Sequence, residues 1–174
     1  MVYNRAVSLP VIVVLDNVRS LYNTGSFFRT ADGCGVERLV LCGITPRPDL
    51  GHRQRHAIAK TALGAELTVP WTYEPDADHA IDKAAAAGFS VVAVETSPQA
   101  ISLYDWAPDW PVCLVFGHET DGVSQRLASR IETHVRVPMM GQKRSLNVAT
   151  AAGVVLYEML RRQLNLGVGD PVLR

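Results

Sequence analysis

The sequence predicts an α/β domain with a mostly parallel sheet and helices on both faces. Three observations carry that reading. Short β-branched apolar runs recur along the chain, segments of helical character separate them, and several of those segments end at glycine. The 174 residues, 48% hydrophobic and 20% charged, suffice for one domain with a sizeable core. Residues 1–174 are read as that single domain, with no internal repeat and no low-complexity linker.

The elements follow in order. Residues 11–15, Val-Ile-Val-Val-Leu, have the length and composition of a buried strand. A helix is predicted over 23–32, started by Asn23 and closed by Gly33 and Gly35. The second strand is 38–42, followed by a loop over 43–51 that holds Pro46 and Pro48. A helix over 78–87 meets Gly88 as its cap, and a strand follows at 90–94. The stretch 97–111, with Trp106 and Trp110, reads as a loop before the strand 112–116. A short helix at 124–129 and a short strand at 134–137 come next. The last element, 145–163, is free of proline and rich in Ala, Val, Leu and Met, so it reads as a long helix started by Ser145.

Composition narrows the function classes. Seventeen basic and seventeen acidic residues give a net charge of zero, which argues against strong non-specific binding of polyanions. A local basic patch can persist within a neutral sum. No signal peptide and no membrane-spanning run is found, so no membrane association and a cytoplasmic location are expected. Cys34, Cys42 and Cys113 are scattered and read as reduced thiols, Cys113 as a strand core residue. The five histidines have no metal-ligand spacing, and no metal is expected. Common nucleotide fingerprints fail: Gly33-x-Gly35 lacks its third glycine because Arg38 stands there. Neither a G-x-x-x-x-G-K-[ST] loop nor a G-x-S-x-G elbow occurs.

Three segments carry the chemistry. The first, 23–31, follows a strand and opens a helix; Gly25 allows close backbone approach, and Arg29 falls one turn beyond Gly25 and Ser26. The second, 116–124, runs from an apolar strand into Gly117-His118-Glu119-Thr120-Asp121-Gly122. It sits at the carboxyl edge of the sheet, where α/β folds bind ligands. The third, 137–148, holds Pro138-Met139-Met140-Gly141, then the basic pair Lys143-Arg144, then Ser145-Leu146-Asn147-Val148. Each alone is also compatible with a plain capped helix or a tight turn.

In this order the three segments resemble the SpoU (TrmH) family of RNA 2′-O-ribose methyltransferases, within the SPOUT superfamily. The resemblance rests on Asn23, Gly25, Arg29, Thr30 and Ala31; on Gly117, Glu119 and Gly122; and on Pro138, Met139, Gly141, Ser145, Leu146, Asn147 and Val148. It implies methylation of a ribose 2′-hydroxyl of tRNA or rRNA with S-adenosylmethionine, a C-terminal deep trefoil knot, and a homodimer with its site near the interface. It implies a cofactor held at Thr96, Gly117, Val137 and Leu146, with Met139 in an apolar slot for the adenine ring. Arg29 becomes the principal catalytic residue, and Asn23, Glu119, Ser145 and Asn147 shape the pocket. Arg47, Arg53, Arg55 and Lys60, with His52 and His56, form the densest basic stretch and are expected to contact RNA phosphates, with Lys143 and Arg144 near the site. Two alternatives stay open: a base-methylating enzyme on the same fold, and a non-catalytic RNA-binding protein with a vestigial pocket. Many family members carry an N-terminal RNA-binding domain or helical extensions. Neither is read here, which would leave RNA recognition to this domain, its dimer or a partner.

Overall fold

A computed structural model describes residues 8–165; the ends of the expected domain, 1–7 and 166–174, lie outside the described residues. The strands are β1 (Leu9–Asp16), β2 (Val36–Cys42), β3 (Trp71–Glu74), β4 (Ser90–Val94), β5 (Ile101–Ser102), β6 (Val112–Phe116) and β7 (Thr133–Arg136). The helices are α1 (Leu21–Cys34), α2 (Gly51–Ala62), α3 (Ala77–Ala86), α4 (Gln125–Ala128) and α5 (Val148–Asn165), with a 3-10 turn at Ala65–Leu67. All seven strands form one sheet in the order β3-β2-β1-β6-β4-β7-β5, and every pairing is parallel. The expected α/β architecture is therefore the observed one.

Period-two alternation along the strands sorts their side chains into two cores. Val11, Val13, Leu15, Leu39, Leu41, Leu114 and Phe116 face α1, α2 and α5. Ile12, Val14, Val40, Cys42, Cys113 and Val115 face α3 and α4. Helices thus cover both faces, and β6, between β1 and β4, is buried along its whole length. The apolar surroundings push the Cys34 and Cys113 thiols up to about 12, so neither supplies a thiolate near neutral pH.

Several boundaries differ from expectation for physical reasons. Helix α1 starts at Leu21, capped by Ser20, whose Oγ accepts the Asn23 N–H at 3.2 Å. Asn23 lies inside the first turn and is not the cap, and Gly33 lies within the helix, which Gly35 closes. Helix α5 starts at Val148, not Ser145. Asn147 caps it, its Oδ1 accepting from the N–H groups of Ala149 at 3.0 Å and Thr150 at 3.2 Å. Ser145 and Leu146 therefore precede the helix and belong to no regular element. Helix α2 and strands β3 and β5 are additions to the sequence reading. Gly25 does allow a close approach, but to α2 and not to a ligand: a Cβ there would lie 2.1 Å from Thr61 Oγ1 and 2.3 Å from the Ile58 carbonyl oxygen.

Candidate active site

The carboxyl ends of β4, β6 and β7 open onto a cavity of about 290 Å³. Thr96, Gly117, Val137, Met139 and Leu146, the residues expected to hold a small molecule, all line it, and Ser145 lines it too. Val137, Met139 and Leu146 give apolar walls, and the turns after β4 and β6 supply backbone polar groups. Gly117 sits where no side chain fits: a Cβ would lie 2.1 Å from the carbonyl carbon and oxygen of Gly122. His118 and Gly122 close this turn by exchanging two backbone hydrogen bonds of 2.9 Å, with Gly122 at φ +70°. Ser97, a lining residue the sequence did not single out, buries an Oγ with no hydrogen-bond partner among the described residues. An apolar slot that ends on an orphaned hydroxyl and a glycine-lined turn fits a molecule with a flat apolar part and polar groups.

A chain of polar contacts borders the cavity. Glu119 accepts the Arg19 N–H at 3.0 Å and the Ser20 N–H at 2.9 Å, and Asn23 Nδ2 donates to it at 3.0 Å. Asn147 Nδ2 in turn donates to Asn23 Oδ1 at 3.2 Å. Residues from all three motif segments are thus joined across more than 120 positions of sequence. Burial pushes the Glu119 carboxyl up, but the hydrogen bonds from Arg19, Ser20 and Asn23 outweigh it and hold the group below its ordinary value. Asn23 and Glu119 act first as a brace between α1 and the turn after β6.

Beneath the rim, Glu95 lines the cavity and pairs with His134 Nδ1, while His134 Nε2 faces the Ile131 carbonyl oxygen at 2.8 Å. Both ring nitrogens face acceptors, the arrangement of an imidazolium. Burial lowers the His134 pKa, but Glu95 and the Ile131 carbonyl outweigh burial and raise it above its ordinary value. Neither residue was found from sequence, because a lone His and a lone Glu, 39 positions apart, form no motif.

Arg29 is not in this cavity. It is exposed on α1 and lines an open groove of about 570 Å³ together with Ser26, Lys60, Thr61 and Tyr157. Ser26 and Arg29 share a face, as their spacing predicts; Gly25 points away, into α2.

The basic residues divide. Arg47 is engaged by its own loop: it holds Asp49 through bonds of 2.9 and 2.7 Å and lies 4.3 Å over the Tyr73 ring. A partner would meet Arg47 in competition with Asp49. Arg53, Arg55, Lys60, Lys143 and Arg144 are exposed and enter none of the ion pairs among the described residues. No cluster among the described residues could hold a metal ion, and no helix among them is long and apolar enough to cross a membrane.

A parallel sheet covered by helices on both faces, with a cavity at the strands' carboxyl ends, defines the α/β class whose ligands bind in that crevice. Within that class the chain belongs to the SpoU rRNA methylase family, whose sequence profile matches residues 10–157. It is 31% identical, over 91% of its length and 61% of the relative's, to a protein of Staphylococcus haemolyticus assigned to the TrmH family of tRNA/rRNA methyltransferases. The chain thus spans about three fifths of the length of the curated relatives it matches. It is also similar to the AdoMet-bound rRNA methyltransferase of Sinorhizobium meliloti, at 28% identity and a TM-score of 0.78, over 90% of this chain and 60% of that one. A third structure, described by 2-OH methylation of C/U34 on tRNA, matches at 28% identity and a TM-score of 0.75. There the match covers 89% of this chain and 97% of the other.

Proposed function

We propose that this chain methylates a ribose 2′-hydroxyl of an RNA, with S-adenosylmethionine as donor. The observation that carries the reading is convergence: the second and third segments line one cavity, all five expected donor-site residues are in its wall, and Asn23 of the first segment joins Glu119 and Asn147 in one hydrogen-bonded chain beside it. Of the two RNA classes, tRNA is supported by the likeness, over 89% of this chain, to the structure described by 2-OH methylation of C/U34 on tRNA.

The donor, when bound, supplies a methyl group on a sulfonium and so needs neither metal nor covalent intermediate. The backbone at Thr96, Gly117, Val137 and Leu146, the Met139 side chain and the Ser97 hydroxyl would hold and orient it. Asn23, Ser145 and Asn147 would place the ribose. A guanidinium stays protonated at ordinary pH, so Arg29 would stabilise the forming alkoxide or the neighbouring phosphate and not act as the base. Arg29 faces a groove apart from the donor cavity of its own chain. A homodimer that brings Arg29 of one copy to the donor cavity of the other reconciles the two, and the half-exposed Tyr22 and Tyr157 on α1 and α5 offer apolar surface for it. The insertion of β6 between β1 and β4, with β7 beyond β4, is also compatible with a trefoil threading.

The test is methylation of bulk RNA from a strain lacking the gene, with labelled S-adenosylmethionine, followed by nuclease digestion and mass spectrometry. A 2′-O-methylnucleoside supports the reading; a base-methylated product overturns the acceptor, and absence of both donor binding and product leaves an RNA-binding protein. In single-turnover assays Arg29→Ala should lose at least about 100-fold in rate, the scale of one removed charge-stabilising donor. Full activity in that variant removes Arg29 from the mechanism.

A further inference from the structure

A ribose hydroxyl that takes up a methyl group must give up its proton, and a side chain with a free basic atom in the cavity is best placed to receive it. Most of the ionisable groups there are already engaged. Both carboxylate oxygens of Glu119 accept N–H groups, at 2.9 to 3.0 Å. Glu95 is paired with His134, whose two ring nitrogens both face acceptors. Arg29 and Arg136 are guanidiniums, which stay protonated. Asn23, Ser145 and Asn147 carry no basic atom at neutral pH.

His118 is different. It lines the cavity from the turn after β6, between Gly117 in the donor wall and Glu119, the first link of the chain to Asn23 and Asn147. Its backbone is fixed by the two hydrogen bonds exchanged with Gly122, and its side chain is 17% exposed, so the ring is held against protein yet reachable. Nδ1 faces the turn, with Thr120 Oγ1 at 3.0 Å and Asp121 Oδ2 at 3.3 Å. Thr120 Oγ1 already donates to Asp121 Oδ1 at 3.0 Å, so toward the ring it acts as an acceptor. The Thr120 N–H also points at Nδ1, at 3.3 Å, and opposes this. A closer hydroxyl acceptor and a charged carboxylate together outweigh one long amide contact, so the proton rests on Nδ1. Nε2 then carries the lone pair, and it has no hydrogen-bond partner among the described residues. An imidazole oriented at one nitrogen and free at the other is the arrangement of a general base.

We propose that His118 is the general base of the methyl transfer and receives the ribose 2′-hydroxyl proton on Nε2, with Thr120 and Asp121 as positioning residues that hold its tautomer. The proposal rests on the ribose-methylating reading and supplies the proton acceptor that Arg29 cannot be. The 2′-oxygen bonds to the methyl carbon as the carbon–sulfur bond breaks, the sulfur keeps the bonding pair as a neutral thioether, and the hydroxyl proton leaves an imidazolium beside Asp121. Asp121 is mostly exposed, so its part is to orient the ring. Glu95, Glu119, Asp121 and Arg136 are the other charged side chains of the cavity wall, with His134 behind Glu95.

The test uses the whole chain, labelled S-adenosylmethionine and bulk RNA from a strain lacking the gene, in single turnovers from about pH 5 to 9. The wild-type rate should climb about tenfold per pH unit on the acid side and then level off, as for one proton acceptor. His118→Ala should lose about 100- to 10,000-fold in rate, lose the acid limb, and regain rate when free imidazole is added. His118→Asn keeps a donor toward Asp121 without a basic atom and should lose the rate and the limb as fully. Both variants should bind the donor as wild type does in equilibrium dialysis. An acid limb that survives in either variant, or an alanine variant that imidazole does not revive, overturns the proposal. So does a rate loss no greater than the loss of donor affinity, which makes His118 part of the donor wall. A readout without any reaction is the spectrum of the donor-free chain with nitrogen-labelled histidine: His118 should carry its proton on Nδ1, and the Nε2–H form overturns the proposal. The wild-type product, read separately, decides the reaction. Ribose methylation with a limb that neither variant removes overturns His118 alone. A methylated nucleobase overturns the ribose reading even where the limb depends on His118, and no product from wild type overturns both.

Discussion

At the scale of residues, the site is built from positions that tolerate one side chain or none. Gly117 was legible as a strand-end glycine, but its reason was not: the constraint is the Gly122 backbone, five residues on, folded back to 2.1 Å from any added Cβ. Gly117→Ala should therefore cost about 1–3 kcal/mol by overpacking and abolish donor binding in equilibrium dialysis. Gly122→Ala has open space at its Cβ but a φ of +70°, and should cost about 1–2 kcal/mol while leaving measurable binding. Equal binding losses would mean that turn conformation, not space, controls the cavity. The ionised groups give two opposite pH limbs. Glu119 has its pKa lowered in the fold, so its stabilisation is complete above its ordinary value of 4.5 and is lost as pH falls through the folded value. His134 has its pKa raised, so its stabilisation is complete below 6.5 and is lost as pH rises through the folded value. Urea midpoints against pH should show both limbs in wild type. His134→Gln should lose the alkaline one; its persistence there would assign that limb to another group.

At the scale of elements, the strands were legible because apolar runs at 11–15, 90–94 and 112–116 have few alternatives in a parallel sheet. Helix α2 was not, because only Ile58 and Ala62 of its twelve residues are buried, so Gly51–Ala62 carries little apolar periodicity. It is held instead by the close approach to Gly25 of α1, a tertiary contact that propensity does not report. β5, two residues long, is below any sequence signal. The start of α5 was misplaced because Ser145 and Asn147 are both good caps, and only geometry shows that Asn147 does the capping. The same side chain points its amide at Asn23 and its oxygen at the helix, so two variants separate the roles. Asn147→Asp keeps the cap and loses the donor to Asn23. It should keep stability within about 0.5 kcal/mol, the range of a preserved cap, and lower methylation. Asn147→Ala should lose activity and, in addition, about 0.5–2 kcal/mol by urea denaturation. If the aspartate variant is fully active, the Asn23 contact is dispensable and Asn147 is a cap alone.

At the scale of the whole molecule, a net charge of zero is the least informative number in the sequence, because the fold distributes the charges unevenly. Acidic and basic side chains cancel locally on and beside α3 and α4, where Asp76, Asp78 and Asp82 hold Arg126 and Arg130. Arg161 and Arg162 hold Glu158 on α5, whose carboxyl the two guanidiniums, Arg161 first, bring down to about 2. Among the described residues the cancellation spares Arg19, Arg29 and Arg136, and also the five cations Arg53, Arg55, Lys60, Lys143 and Arg144 that are expected to meet RNA phosphates. Arg47, expected in the same set, differs from them in being engaged within its own loop by Asp49 and Tyr73. The distinction can be measured without knowing the RNA sequence. Each phosphate neutralised on a single strand contributes about −0.7 to the slope of log affinity against log salt, so five such cations give a slope of about −3.5 per bound strand. Arg53→Ala/Arg55→Ala should flatten that slope by about 1.4, and Arg47→Ala should leave it unchanged while disordering the loop around Asp49. A slope that falls as steeply for Arg47→Ala as for Arg53→Ala would mean that RNA competes Arg47 away from Asp49. The binding face would then extend from α2 across the loop after β2 to the edge strand β3, a larger footprint than the unpaired cations define.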